Sequence, residues 1–201
     1  MYSINNKIVN RMYGKGRGWC FTQKDFFDLG SPGAIRITLH RLEKKSVIRR
    51  ITRGLYEYPK KHVTIGLLSP SPEKIIEALS VRDAIHFLPS GAYSANLLGL
   101  SEQVPAKIVF LTNGSTRRVK VGRQEIILKR TSPKILKAGK DSGMVILALK
   151  HLGKTQVKRQ HTEHLKISLN NSTKRQLQKD RKYAPIWMQP IIDNIVMNTP
   201  C

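Results

Sequence analysis

The chain has 201 residues, with 36 Lys and Arg against 13 Asp and Glu, a formal net charge of +23, and 40% hydrophobic residues. That is too apolar for a disordered basic tail and too short for more than one or two domains, so a folded, strongly basic protein is expected. The longest aliphatic run, Met144 to Leu149, falls far short of the ~20 residues that span a bilayer, and the first residues carry no apolar stretch suited to a signal peptide. Two cysteines, Cys20 and Cys201, make neither a disulfide framework nor a zinc cluster. The expectation is a cytoplasmic protein drawn to polyanions, with no metal, no other cofactor and no membrane partner.

The charge is uneven along the chain. Residues 1–60 hold 13 basic and 4 acidic side chains, 61–110 hold 4 of each, 111–140 hold 9 and 1, and 141–201 hold 10 and 4. Two basic zones around a neutral middle predict two anion-facing surfaces on one scaffold, and nucleic acid is the usual partner of such surfaces.

In chain order, Ile8, Val9 and Met12 give Asn5 to Tyr13 a helical period that stops at the basic glycine turn Gly14–Gly18. Trp19-Cys20-Phe21 is a short apolar run, and Thr22 is placed to cap a second helix from Gln23 to Leu29. Ser31 offers an N-cap and Pro32 takes the first position of a third helix that runs to about Lys45. Its buried stripe would be Ala34, Ile35, Thr38, Leu39 and Leu42, with Gly33, Arg36, Ile37, His40, Arg41 and Lys44 outward. The period then changes to two over Val47–Ile51 and Leu55–Tyr58, joined by Thr52-Arg53-Gly54.

Three short helices and a basic hairpin predict a winged helix-turn-helix over residues 1–60, whose third helix enters the major groove of DNA. Arg36 and His40 would reach base edges. Arg41, Lys44, Arg49, Arg50 and Arg53 would neutralise phosphates, with Ser31, Lys15 and Arg17 completing the candidate DNA-binding set.

Residues 61–72 read as a linker, and 73–201 as an α+β domain with a mainly antiparallel sheet and a helical tail. Helix Glu73–Ser80, strand Ala84–Leu88 and a small-residue helix Pro89–Leu98 packed on the sheet come first. A strand at Lys107–Thr112 turns at Asn113-Gly114, a strong hairpin signal, into Arg117–Val121 and Gln124–Lys129. Arg117, Arg118, Lys120 and Arg123 would form a second basic surface, either touching DNA or keeping an edge strand soluble. A buried helix, Ser142–Leu152, leads into the basic tail.

Catalytic patterns fail one by one. Gly153-Lys154-Thr155 lacks the earlier glycine and the strand of a phosphate loop, and Gly14-x-Gly16-x-Gly18 lacks the spacing of a dinucleotide site. His161 and His164 have no third ligand nearby, Ser90 lacks the glycine two positions before the serine of a nucleophile elbow, and Asp83 with His86 finds no nucleophile. No enzyme is expected.

Several segments together resemble the AbiEi-type antitoxins, the repressor-antitoxins of type IV toxin–antitoxin systems. They are Arg17–Phe26, Leu39-His-Arg-Leu42, Ile48–Pro59, Leu88–Leu100 with Gln103-Val-Pro105, and Leu111-Thr-Asn-Gly114, a likeness covering roughly residues 5 to 155. The resemblance implies binding to inverted repeats upstream of the protein's own operon, with DNA reading on Ser31–Lys45, Arg49, Arg50 and Arg53. It also implies an antitoxin that counters a nucleotidyltransferase toxin without a stable complex. The competing expectation is a non-catalytic basic module that docks on an acidic protein partner and shows no preference among DNA sequences.

Overall fold

A computed structural model of the chain describes residues 3–121 and 124–197. By internal contacts the chain divides into two compact units, Met1–Ile85 with Val119–Glu125, and His86–Arg118 with Ile126–Cys201. The elements are mixed α and β, in line with the expected α+β class.

In the first unit, helix α1 (Ile4–Lys15) begins where the Ser3 hydroxyl accepts the Asn6 N–H and ends at Gly16, whose φ of 81° leaves the helical region. Strand β1 (Cys20–Phe21) follows. The expected second helix is only a 3₁₀ turn, Gln23–Phe26. The Asp25 carboxylate accepts the Thr22 N–H at 2.8 Å and closes the turn on itself, while Phe26 drops into the core. Helix α2 (Pro32–Lys44) has the expected start: the Ser31 hydroxyl accepts the Ala34 N–H, and Pro32, which has no N–H to lose, stands first. It buries Ile35, Thr38, Leu39 and Leu42.

Strands β2 (Arg49–Thr52) and β3 (Leu55–Glu57) turn at Arg53-Gly54, where Gly54 supplies a φ of 72° that a side chain would oppose. β3 lies between β1 and β2 in an antiparallel sheet, with Cys20 opposite Glu57 and Arg50 opposite Tyr56. Ile8, Met12, Phe21, Phe26, Ile35 and Leu39 fill the space between helices and sheet, each side chain adding about 1.5–3 kcal/mol by leaving water. Phe21 centres the cluster, edge-on to Phe26 at 5.4 Å and stacked on Tyr56 at 6.0 Å.

The segment read as a linker contains structure. Strands β4 (Lys61–His62) and β5 (Gly66–Leu67) pair antiparallel as a small ribbon. Helix α3 (Pro72–Asp83), read from sequence as the start of the second domain, belongs to the first unit, where it packs on β1. Its stripe of Ile75, Ile76, Ala78 and Leu79 is buried. Its Arg82 guanidinium donates to the Arg53 carbonyl at 3.0 Å and so holds the β2–β3 turn. The first unit therefore runs past residue 60, to Ile85.

The second unit opens with strand β6 (Phe87–Pro89) and helix α4 (Gly91–Leu97), followed by strands β7 (Ile108–Thr112), β8 (Arg117–Val121) and β9 (Gln124–Arg130). The sheet order is β6-β7-β9-β8, and β7 runs parallel to β9 with Ile108 opposite Ile126 and Thr112 opposite Arg130. The sheet is thus mixed, and Asn113-Gly114 does not join two paired strands. Phe110, Ile126 and Leu128 are all buried, so pairing β7 with β9 sets apolar strands side by side. β8, with Arg118 and Lys120 exposed, takes the edge, where charge also discourages pairing with other chains. The division between the units falls inside this hairpin.

Helices α5 (Pro133–Leu136), α6 (Lys140–Leu152), α7 (Arg159–Ser168), α8 (Asn171–Asp180) and α9 (Gln189–Val196) complete the unit. α4 touches the sheet as expected, Tyr93 standing edge-on to Phe110 of β7 at 5.6 Å, but its main packing is on α6. Gly91 allows this: a Cβ there would stand 2.8 Å from the Leu147 carbonyl oxygen and 2.7 Å from the His151 Cβ. Val145, Ile146, Leu149, Leu165, Leu177 and Ile192 form the helical core. The buried Asp180 carboxylate accepts the Gly139 N–H at 2.8 Å and the Ser142 hydroxyl, which caps the start of α6. Among the described residues no helix is long and apolar enough to cross a membrane.

Candidate nucleic-acid interface

Because α2 buries one stripe, its helical period must turn the opposite residues outward. Arg36, Ile37, His40, Arg41 and Lys44 are all exposed along that outer face. Arg50 on β2 and Arg53 in the hairpin turn are exposed as well. Among the described residues none of Arg36, His40, Arg41, Lys44, Arg50 and Arg53 stands in an ion pair with a carboxylate. Ser31 sits at the head of the same helix, but its hydroxyl is committed to the cap.

Two arginines of the candidate DNA-binding set, Arg49 and Arg17, have partners inside the unit. Arg49 points its Nε at the Glu57 carboxylate at 2.9 Å and its Nη2 at the Leu68 carbonyl at 2.9 Å. Glu57 is 1% exposed, so this pair neutralises a carboxylate inside the unit, and Arg49 is corrected from phosphate contact to internal partner. The register explains it, since β2 and β3 set residues 49 and 57 directly opposite. Arg17 donates to the Pro59 carbonyl at 3.1 Å and lies 4.9 Å over the Tyr58 ring, a cation–π contact. Lys15 is exposed at the C-terminal end of α1, where the helix dipole favours a cation. It borders a separate depression with Cys20, Asp25, Lys74 and Glu77.

Arg17, Arg49 and Arg50 line one cleft together with Lys61, Tyr13 and Tyr58, against a single acidic residue, Glu43 from the end of α2. Sequence reasoning missed Lys61 and the exposed ring of Tyr13, because Pro59-Lys60-Lys61 reads as an exit from the domain. The signal present was the basic pair itself, directly after a strand.

On the second hairpin, Lys120 is exposed and belongs to the first unit, while Arg117 and Arg118 belong to the second and each has an interaction partner. Arg123 lies outside the described residues, as does Cys201. Of this strand's described cations, Arg118 and Lys120 are exposed and Arg117 is half-buried.

The candidate catalytic groups serve structure. His161 accepts the Lys158 N–H at 3.2 Å at the head of α7, and His164 Nε2 lies 2.9 Å from the Leu98 carbonyl oxygen, so the two histidines take separate partners. Asp83 receives the Arg82 guanidinium at 2.7 Å, Ser90 starts α4, and Gly153 ends α6 with a φ of 81°. Among the described residues no three His, Cys, Asp or Glu side chains gather to hold a metal ion. Burial pushes the Cys20 thiol up to about 12, and Glu57 adds to the shift, so this cysteine is not a nucleophile at neutral pH.

The structure defines a basic, two-unit α+β protein with an exposed cationic helix face. The chain belongs to DUF6088, a family of unknown function whose model matches residues 7–177. No catalytic family matches it, and no curated protein does.

Proposed function

We propose that this protein is a sequence-reading DNA-binding regulator whose first unit works as a winged helix-turn-helix, with α2 as recognition helix and the β2–β3 hairpin as wing. The observation that carries this reading is the outer face of α2: Arg36, His40, Arg41 and Lys44 are exposed on one rigid helix without a carboxylate in ion-pair reach among the described residues. Cations left unpaired on a helix of this length fit a major groove, where arginine reads guanine through two hydrogen bonds. Arg50 and Arg53 on the hairpin suit the flanking phosphates.

The test is fluorescence anisotropy on a duplex from upstream of the protein's own gene beside a scrambled duplex, each at two salt concentrations. Preference for the native duplex that survives higher salt supports the reading. Equal binding that vanishes with salt removes it in favour of a basic module for an acidic partner. Arg36→Ala is expected to cost roughly 1–3 kcal/mol on the native duplex alone, whereas Arg50→Ala weakens both duplexes alike and lowers the salt slope by about 1. Equal losses for both variants on both duplexes would sink the assignment of Arg36 to base reading.

The likeness to AbiEi-type antitoxins supports a wider proposal: autorepression at inverted repeats upstream of the operon, and protection against a nucleotidyltransferase toxin without a stable complex. A protein in this role works in the cytoplasm. Co-expression with a nucleotidyltransferase encoded next to its gene should restore growth, and failure to restore it would remove the antitoxin half while leaving the DNA reading in place.

A further inference from the structure

The β4–β5 ribbon stands out from the rest of the first unit because all seven of its residues, 61–67, are exposed and three of them are apolar. Val63 is fully exposed, Ile65 is 72% exposed and Leu67 53%. The ribbon is nonetheless well fixed. Its root is closed by the Leu68 N–H donating to the Lys60 carbonyl at 2.9 Å, and its tip by the Thr64 N–H donating to His62 Nδ1 at 3.2 Å. Two arginines brace the strands at their root, Arg17 on the Pro59 carbonyl and Arg49 on the Leu68 carbonyl. A chain that braces an apolar tip this firmly keeps Val63 and Ile65 in water at a standing cost in hydration.

Charge narrows the occupant. Lys60 and Lys61 lead into the apolar tip, and Lys61 and Leu67 border the same cleft as Arg50 and the end of α2. The ribbon root is thus continuous with the face proposed to carry DNA. Duplex-bending proteins pair cations on the phosphates with aliphatic side chains that enter the minor groove and open a base step. We infer that the β4–β5 ribbon is an arm of this kind: Lys60 and Lys61 grip the phosphates, and Val63 and Ile65 enter the minor groove of a duplex already held by α2. The inference rests on the DNA reading above and adds a second contact and a bend to it.

The full-length chain is tested on the upstream duplex labelled at both ends, with anisotropy reporting affinity and energy transfer reporting bend. Val63→Ser with Ile65→Ser is expected to weaken binding about tenfold and to straighten the duplex while leaving the salt slope unchanged. Lys60→Ala with Lys61→Ala is expected to lower the salt slope by about two, one for each phosphate released. Both variants should melt at the parent's temperature, since 61–67 lie outside the core.

Parental affinity and bend in both variants would overturn the arm. If ribbon variants lose binding while Arg36→Ala and Arg50→Ala keep it, the α2 reading fails, and with it the arm as a second contact on a duplex held by α2, leaving the ribbon as a DNA contact of its own. If the parent has no affinity for duplex DNA, both fall. Binding of the parent to phosphatidylserine-containing vesicles that the serine variant abolishes, with DNA affinity unchanged, overturns the arm in favour of a lipid surface.

Discussion

The outer face of α2 and the root of the β4–β5 ribbon are both rich in cations and hold them in opposite ways. On α2, Arg36, Arg41 and Lys44 project from a helix whose buried side is already satisfied by Ile35, Leu39 and Leu42. At the ribbon root, Arg17 and Arg49 are committed to backbone carbonyls, an aromatic ring and a buried carboxylate. Arg49 and Arg50 show the contrast within one dipeptide: alternation along β2 turns the first inward to Glu57 and the second out to solvent. A basic residue is available to a ligand only when the fold has no use for its charge. Counting lysines and arginines therefore locates a basic surface poorly, and asking what each cation already touches locates it better.

The largest effect that would break this comparison comes from Arg49→Met. It strands the Glu57 carboxylate, 1% exposed, without its partner, and should cost about 3 kcal/mol in urea denaturation. Adding Glu57→Met should return most of that loss, because two packed apolar side chains replace a buried pair with little net penalty. The salt slope of DNA binding should stay at the parental value in the folded fraction. A loss below about 1 kcal/mol, or a slope lowered by about 1, would return Arg49 to the phosphate-contacting set. Arg17→Met follows at about 1 kcal/mol, the sum expected of one hydrogen bond and an exposed cation–π contact. Arg41→Ala should change stability by less than about 0.5 kcal/mol and lower the salt slope by about 1, so the two variants separate the two kinds of cation by experiment.

What the sequence revealed and what it hid divide along the range of the interactions. The start of α2 was legible because Ser31, Pro32 and the i, i+3, i+4 apolar stripe act within one or two turns, and the β2–β3 turn was legible because Arg53-Gly54 is a local signal. The partner of Arg49 was not, since it depends on a cross-strand register and on Leu68, nineteen positions away. The apolar stripe of α3 was visible, but a stripe does not say which core it enters, and Ile75 and Leu79 went to the first unit. Asn113-Gly114 marked the end of β7, where the chain bends, without naming the strands that pair. Burial of Phe110 directly beside Leu128 decided that, with β8 between them in the chain but not in the sheet. The outward face of α2 was legible in full, and the ribbon was not, because a two-residue strand carries no period to read.

The smallest effect at neutral pH, and the sharpest probe of the paired side of the comparison, is the titration of Cys20. Its thiol stands opposite Glu57 in the sheet, and burial first, then the Glu57 charge, raise its pKa from 9.0 to about 12, while Arg49 acts to lower it. A raised pKa on an acid favours the neutral thiol in the folded state. Its contribution to stability is therefore whole below about pH 9 and is lost as pH rises from 9 toward 12. In a chain carrying Cys201→Ser, alkylation of Cys20 at pH 8.5 should run roughly a hundredfold or more slower in the folded chain than in urea, for want of thiolate. Arg49→Met should slow it further in the folded fraction, since the cation that opposes Glu57 is gone. A Cys20 that reacts as fast as a free thiol would mean that β1 and β3 open readily, and with them the Glu57 site that separates Arg49 from the exposed cations of α2.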